Sequence, residues 1–391
     1  MDLAKAKLLD GPIELEAMNR AGSLACLSVR FALEFNMDGT AGDVARTQVE
    51  RHMRLCLAAT TERETFVTLA GSEPLLAEAA YELMKGTQSN PVRHLASHSD
   101  LYCVDRGRRG ELVAALLIMR ACDAARAASS GQRWVSVDGF MEGLLPQAKY
   151  QILKKSFPTF YRDGEKYDFA ATFRDYGIWC NHIIKVEKKA MFSADHLWKF
   201  ITRGAMIMCS DNQDGIDIVI PICHTQQALS RHTVTAILVQ VKNAHKYKLK
   251  IDNELFVKMN PIELGLFPSG VDAKPVIRIV LALASTKAGV NFPEQRGREH
   301  HYDDPFTAFD VWCAGLSNDT FRHIDDDLAS YQLLLERSLR SHDAFELLED
   351  PKLDKETRQL RGSLRRRMAP LITDDHDAHQ AIYLGKSKSV A

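Results

Sequence analysis

The sequence predicts a mixed α/β fold around a mixed sheet, and three observations carry that expectation. The stretch from Glu111 to Ala128 is strongly apolar and built almost entirely of helix formers. Three short β-branched runs follow, Ala205 to Cys209, Ile216 to Ile222 and Val234 to Asn243, bounded by Gly, Asn, Asp and Pro. A helical piece from about Asn253 to Gly265 and a further apolar strand, Pro275 to Ala284, complete the order helix, three strands, helix, strand.

Taken in chain order, apolar residues recur at helical spacing as far as Met84, as in Leu24, Leu27, Phe31 and Leu33, or Leu75, Leu76, Ala79 and Leu83. Residues 1–100 therefore read as a helical N-terminal region, with Gly86 to Asp105 as its linker because Ser, Asn, Pro and His cluster there. The core spans 105–290. Its helix from Glu111 carries charge only at Glu111, Arg120, Asp123 and Arg126, so it should be largely buried. Residues 131–202 mix aromatics with short helical patterns, Phe140 to Leu145 and Ala194 to Ile201, and read as an insertion or covering layer. Beyond Thr286 the chain turns polar through Arg296 to Asp304. It then forms a helical C-terminal extension, 291–391, with helices expected near Asp327 to Leu348 and Lys355 to Arg367.

Composition narrows the function classes. With 391 residues, 46% hydrophobic and 26% charged, the chain can bury a sizeable core. Its 50 basic and 51 acidic residues leave a net charge of -1, so a nucleic-acid partner must be held by local patches rather than a global field. The 8 cysteines occur singly, without a CxxC pair, and read as reduced, mostly core thiols of an intracellular protein. The first thirty residues carry charge throughout, and no run approaches a membrane span of ~18 apolar residues; nucleus and cytoplasm both stay open. A GxxxxGK[ST] phosphate loop is absent, which argues against a nucleotide-driven motor.

Strands buried on both faces tolerate charge badly, because an ion taken out of water costs several kcal/mol unless it is paired or binds metal. Asp217 nevertheless sits in GIDIVIPI and Lys242 in TAILVQVKN. If the two runs form an antiparallel hairpin with a loop of roughly His224 to Thr233, Asp217 lies opposite Lys242 and Val219 opposite Gln240. Asp217, Gln240 and Lys242 would then project from one face. The carboxylate and the amide oxygen are hard ligands suited to Mg²⁺ or Mn²⁺, which would polarise a phosphodiester and activate water, with Lys242 offsetting the charge on phosphorus. Gln240 brings no negative charge, so another acid is needed, and Glu111 is the candidate helper ligand. Lys246, Lys248 and Lys250, with Tyr247 among them, form a basic patch able to track a nucleic-acid backbone.

Asp217, followed by Gln240-Val241-Lys242 at the end of the next strand and with Glu111 upstream on a helix, resembles the PD-(D/E)xK nuclease superfamily, in particular its Mrr-like QxK members. The stretches RGELVAALLIMRACD, FITRGAMIMCSDNQDGIDIVIPI and VQVKN also resemble the nuclease-like region of fungal Crinkler and transposon-linked proteins. The resemblance implies a restriction-endonuclease-like core (αβββαβ) and a metal-dependent endonuclease, a hydrolase acting on DNA ahead of RNA, in some members as a homodimer. Two departures stand out: Gly215 and Ile216 replace the proline expected before the acid, and Gln240 replaces the second acid.

Each sharp reading has a bland counterpart. Asp217 and Lys242 could be a buried ion pair with Gln240 as neighbour, on an inactive nuclease-fold protein that binds nucleic acid or a protein partner. Glu111 in a first helical turn is favoured by the helix dipole alone, by roughly 0.3–1 kcal/mol. Asp211 and Asp214 suit an ordinary turn. His300, His301, Asp303 and Asp304 suit a solvated loop, and Arg361, Arg365, Arg366 and Arg367 a solvated helix face.

Overall fold

Strict alternation of apolar side chains on both faces of each central strand decides the architecture. Ile218, Ile220 and Ile222 join one buried cluster while Val219 and Cys223 join another; Ile237 and Val239 divide likewise from Ala236 and Leu238, and Phe309 and Val311 from Ala308 and Trp312. Such strands need cover on both faces. The computed structural model describes residues 1–12, 18–33, 39–59, 66–86, 89–97, 106–130, 132–162, 167–186, 193–210, 213–267, 273–293 and 305–335.

The chain begins with α1 (Asp2–Leu9), α2 (Arg20–Phe31) and α3 (Gly39–Arg51), then a hairpin of β1 (Arg54–Ala59) and β2 (Phe66–Ala70), then α4 (Pro74–Gly86) and α5 (Pro91–Ser97). The long helix α6 (Arg106–Ala128) leads into β3 (Val135–Ser136), α7 (Val137–Leu144), α8 (Gln147–Lys154), α9 (Phe169–Thr172), β4 (Tyr176–Ile178), β5 (His182–Lys185) and α10 (Ala194–Thr202). The centre is β6 (Ala205–Met208), β7 (Ile218–His224), β8 (Val234–Lys242), α11 (Asn253–Lys258) and β9 (Val276–Ala282); β10 (Gly289–Asn291) and β11 (Ala308–Ala314) follow, and a 3-10 turn at Asp325–Asp327 running into helical residues 328–335 closes the described part.

Among the described residues the main sheet has nine strands in the order β10-β11-β9-β8-β7-β4-β3, with β6 also on β7 and β5 on β6. The contacts β8–β9, β9–β11 and β5–β6 are parallel and the others antiparallel. The outer edge of β7 is shared: β6 pairs at Ile218 and Val219, β4 at Cys223 and His224. Pro221, with no N–H to give, falls between the two. Helices α2, α4, α6 and α7 supply the apolar residues of one cluster, and α10 and α11 those of the other. Among the described residues no helix is long and apolar enough to cross a membrane. Of the described cysteines only Cys56 is exposed, and all are free.

Mixed α/β with a mixed sheet is the observed class, and the four central strands fall where the sequence put them. Other expectations need correction. The N-terminal region is not wholly helical: Arg54–Ala59 and Phe66–Ala70 pair as a hairpin, in which Leu55 and Leu57 stay exposed. The expected linker contains α5, which buries Val92, Leu95 and Ala96. Residues 131–202 do not merely cover the core, because β3, β4 and β5 are strands of the main sheet. The core also does not stop near 290. Strand β11 pairs along β9 through seven residues, its Asp310 neutralised by Arg278 through two bonds of 2.6 Å. The segment Arg296 to Asp304, Asp211 and everything beyond Leu335 lie outside the described residues.

Candidate functional site

The charges that interrupt the apolar strands gather at one end of the β7–β8 pair. The strands are antiparallel as expected, but Val219 faces Leu238 rather than Gln240, so Lys242 does not stand opposite Asp217. The turn fixes this register: the His224 N–H reaches the Thr233 carbonyl at 2.9 Å, and the Thr233 hydroxyl donates to Ala228 at 3.0 Å and accepts from the Ser230 amide at 3.0 Å. A slip of two residues keeps the side-chain alternation. Gln240 and Lys242 therefore still share the face of Leu238.

Asp217 stands immediately before β7 with its main chain clamped on both sides. Its N–H donates to Val239 at 2.9 Å and its carbonyl accepts from Cys209 at 2.8 Å. Its carboxylate accepts the Val241 N–H at 2.5 Å, so the side chain replaces a ladder carbonyl at the mouth of the strand pair. Burial pushes this carboxyl above its ordinary value, opposed by the Val241 amide and the Lys242 charge. Gly215 makes the approach possible: its φ is +85°, and a Cβ there would overlap the Lys258 carbonyl oxygen.

Gln240 is only 2% exposed, and its amide oxygen has no hydrogen-bond partner. An orphaned buried acceptor costs about 1–3 kcal/mol and asks for a water, a donor or a cation. Glu111 comes from the adjoining helix. Because α6 begins at Arg106, Glu111 lies in its second turn, not the first, which weakens the dipole explanation for an acid there. A Cβ on Gly110 would sit 3.0 Å from Asn243 Cβ and 3.3 Å from Val241 Cγ1, so the helix crosses the end of β8 at this point. Burial first, then the charges of Asp217 and Glu111, drive the Cys209 thiol far above its ordinary value, which sets both carboxylates around one buried sulfur. In the sequence that thiol only ends an ordinary apolar run, Ala205 to Cys209. Among the described residues no three His, Cys, Asp or Glu side chains converge as a ready metal cage.

Lys242 is half-buried, with Nζ 6.0 Å from the Tyr247 ring, and its charge opposes the rise that burial causes at Asp217. Asp214 itself is paired at 3.1 Å with Lys258 on the surface. Lys246, Lys248 and Lys250 are exposed on the loop after β8. The backbone of that loop is anchored to the sheet, since Trp312 Nε1 donates to the Lys248 carbonyl at 2.9 Å and Asn291 Nδ2 to the Leu249 carbonyl at 3.0 Å. A rigid basic loop thus adjoins the three strand residues. A family model described as a domain of unknown function (DUF8736) matches residues 15–260. No curated protein and no solved structure matches the chain.

Proposed function

Because the chain belongs to the DUF8736 family, whose function is unknown, membership assigns no chemistry, and we propose from the site that it is a metal-dependent nuclease hydrolysing phosphodiester bonds of DNA ahead of RNA. The observation that carries the reading is a buried carboxylate beside an orphaned amide oxygen, with a lysine on the same strand as the amide. The order α6, β6, β7, β8, α11, β9, with β6–β7 and β7–β8 antiparallel and β8–β9 parallel, supports a restriction-endonuclease-like core.

The donor set fits a hard divalent cation. Asp217 and Gln240, with Glu111 helping, would hold Mg²⁺ or Mn²⁺, since Gln240 lacks a partner and Asp217 is desolvated without an equal counter-charge. When bound, such an ion supplies Lewis acidity and a water of lowered pKa. The residues of the chain do the remaining work. Lys242 sets a positive charge where negative charge builds on phosphorus. The Val241 amide holds the Asp217 carboxylate in one orientation, and Lys246, Lys248 and Lys250 take the flanking phosphates.

The test is incubation of the full chain with plasmid and single-stranded DNA or RNA and Mg²⁺ or Mn²⁺. Cutting that EDTA stops, and that Asp217→Asn and Lys242→Ala reduce at least ~100-fold, is the expected outcome. Cutting by Lys242→Ala at the wild-type rate would remove the assignment. One observation favours a second reading, a scaffold that binds nucleic acid or a protein without cutting: no three His, Cys, Asp or Glu side chains converge among the described residues. Salt-sensitive binding with no metal-dependent product would support it.

A further inference from the structure

Away from the strand-end site, Ser72, His182 and Asn181 form a hydrogen-bonded line. Ser72 Oγ lies 2.8 Å from His182 Nε2, and His182 Nδ1 lies 2.7 Å from Asn181 Oδ1. The proton positions follow from the next link. Asn181 Nδ2 donates to Glu78 Oε2 at 3.1 Å, and Glu78 is held in turn by Arg126. With its NH₂ on a carboxylate, the Asn181 amide must offer its oxygen to the imidazole, and an amide oxygen only accepts. His182 therefore carries its proton on Nδ1. The lone pair of Nε2 faces Ser72, whose hydroxyl donates to it.

That arrangement is the logic of an activated nucleophile: a hydroxyl on a base, and the base oriented by a third group. Two further features fit it. Ser72 lies in the tight connection between β2 and the first turn of α4, a thirteen-residue helix, and it is half-buried, not sealed in the core. Arg203 Nε donates to Ser72 Oγ at 3.2 Å and its terminal nitrogen to the Ser72 carbonyl, which sets a cation beside the hydroxyl. Gly204, at φ +66°, has no Cβ; one added there would approach Asn181 Oδ1 to 3.0 Å and crowd the orienting amide.

We propose that Ser72, with His182 as general base and Asn181 as its positioning residue, attacks acyl esters, an activity separate from the strand-end site. As Ser72 Oγ bonds to the carbonyl carbon, its proton passes to His182 Nε2 and the carbonyl electron pair moves to oxygen beside Arg203. Collapse breaks the ester C–O bond, and the leaving alkoxide takes the proton from His182. A water then gives His182 Nε2 a proton as its oxygen attacks the acyl-serine; collapse breaks the bond from the acyl carbon to Ser72 Oγ, the His182 proton returns to Oγ, and the acid departs.

The experiment exposes the folded full chain to a fluorescent fluorophosphonate and maps the adduct by peptide mass, alongside hydrolysis of p-nitrophenyl acetate. The expected result is an adduct on Ser72, formed equally with EDTA present, absent from the urea-unfolded chain, and lost in Ser72→Ala. His182→Gln should slow its formation at least ~100-fold. Should Ser72→Ala fail to fold, Ser72→Cys keeps a donor to Nε2 and should exchange fluorophosphonate labelling for iodoacetamide labelling at that position. A native wild-type chain that takes no adduct on Ser72, or Ser72→Ala labelled to the same extent, overturns the proposal; insensitivity to EDTA separates its fate from that of the nuclease.

Discussion

Acid should unfold this protein partly through one histidine. His182 is fully buried, and burial first, then the charges of Arg203 and Arg30, hold it down to about 4 from an ordinary 6.5. It also faces Ser72, Asn181 and the Gly204 backbone, which opposes the shift, with Glu78 one bond further on. Between 6.5 and about 4 the unfolded chain holds a proton that the folded chain does not, so this contribution is complete above 6.5 and is lost as pH falls. At about 1.4 kcal/mol for each pH unit in that window, the loss by pH 4.5 is roughly 2.5 kcal/mol, a large share of a typical 5–15 kcal/mol. Urea unfolding from pH 7.5 to 4.5 of wild type and His182→Gln measures it, since carboxylates such as Asp217 titrate in both. The variant should start less stable and run flatter by about 2.5 kcal/mol. Parallel profiles within about 0.5 kcal/mol would refute the reasoning, as would the His182 imidazole resonance titrating near 6.5 in the folded chain.

Three further outcomes follow from other parts of the molecule. Asp310→Asn strands the Arg278 guanidinium in the core and should cost about 3–5 kcal/mol, while Arg278→Met with Asp310→Leu should recover most of it; urea midpoints read both. Gly215→Ala forces an L side chain into positive φ against the Lys258 carbonyl and should cost at least ~2 kcal/mol, seen as a lowered midpoint with unchanged slope. Changing Lys246, Lys248 and Lys250 together to Gln should leave stability within about 0.5 kcal/mol. The same change should lower the salt dependence of nucleic-acid binding by roughly 2–3 in log–log slope, measured by fluorescence anisotropy across a salt series.

The parts of the fold legible in the sequence are those where local pattern and tertiary environment agree. β6, β7, β8 and β9 are mainly apolar runs because both faces are covered, and the middle of α6, Leu112 to Met119, is wholly apolar for the same reason. β11 was hidden because Asp310 breaks its run and the partner that neutralises it, Arg278, lies on another strand. β4 and β5 have three and four residues, too few to display a period. At the strand-end site, Asp217 and Lys242 were legible as charges in apolar strands, yet the register was not, since a two-residue slip leaves every side chain on its own face. Ser72 and His182 gave no local signal at all: they are 110 positions apart, and a lone serine before a helix reads as ordinary punctuation.

The loop after β8 is gripped through its carbonyls, by Trp312 and Asn291, and not through its lysines. Route and chemistry are thereby uncoupled along this stretch. Replacements at Lys246, Lys248 or Lys250 can redraw the electrical character of the rim in a lineage without moving the main chain, so divergence in what is gripped there can outpace divergence in shape.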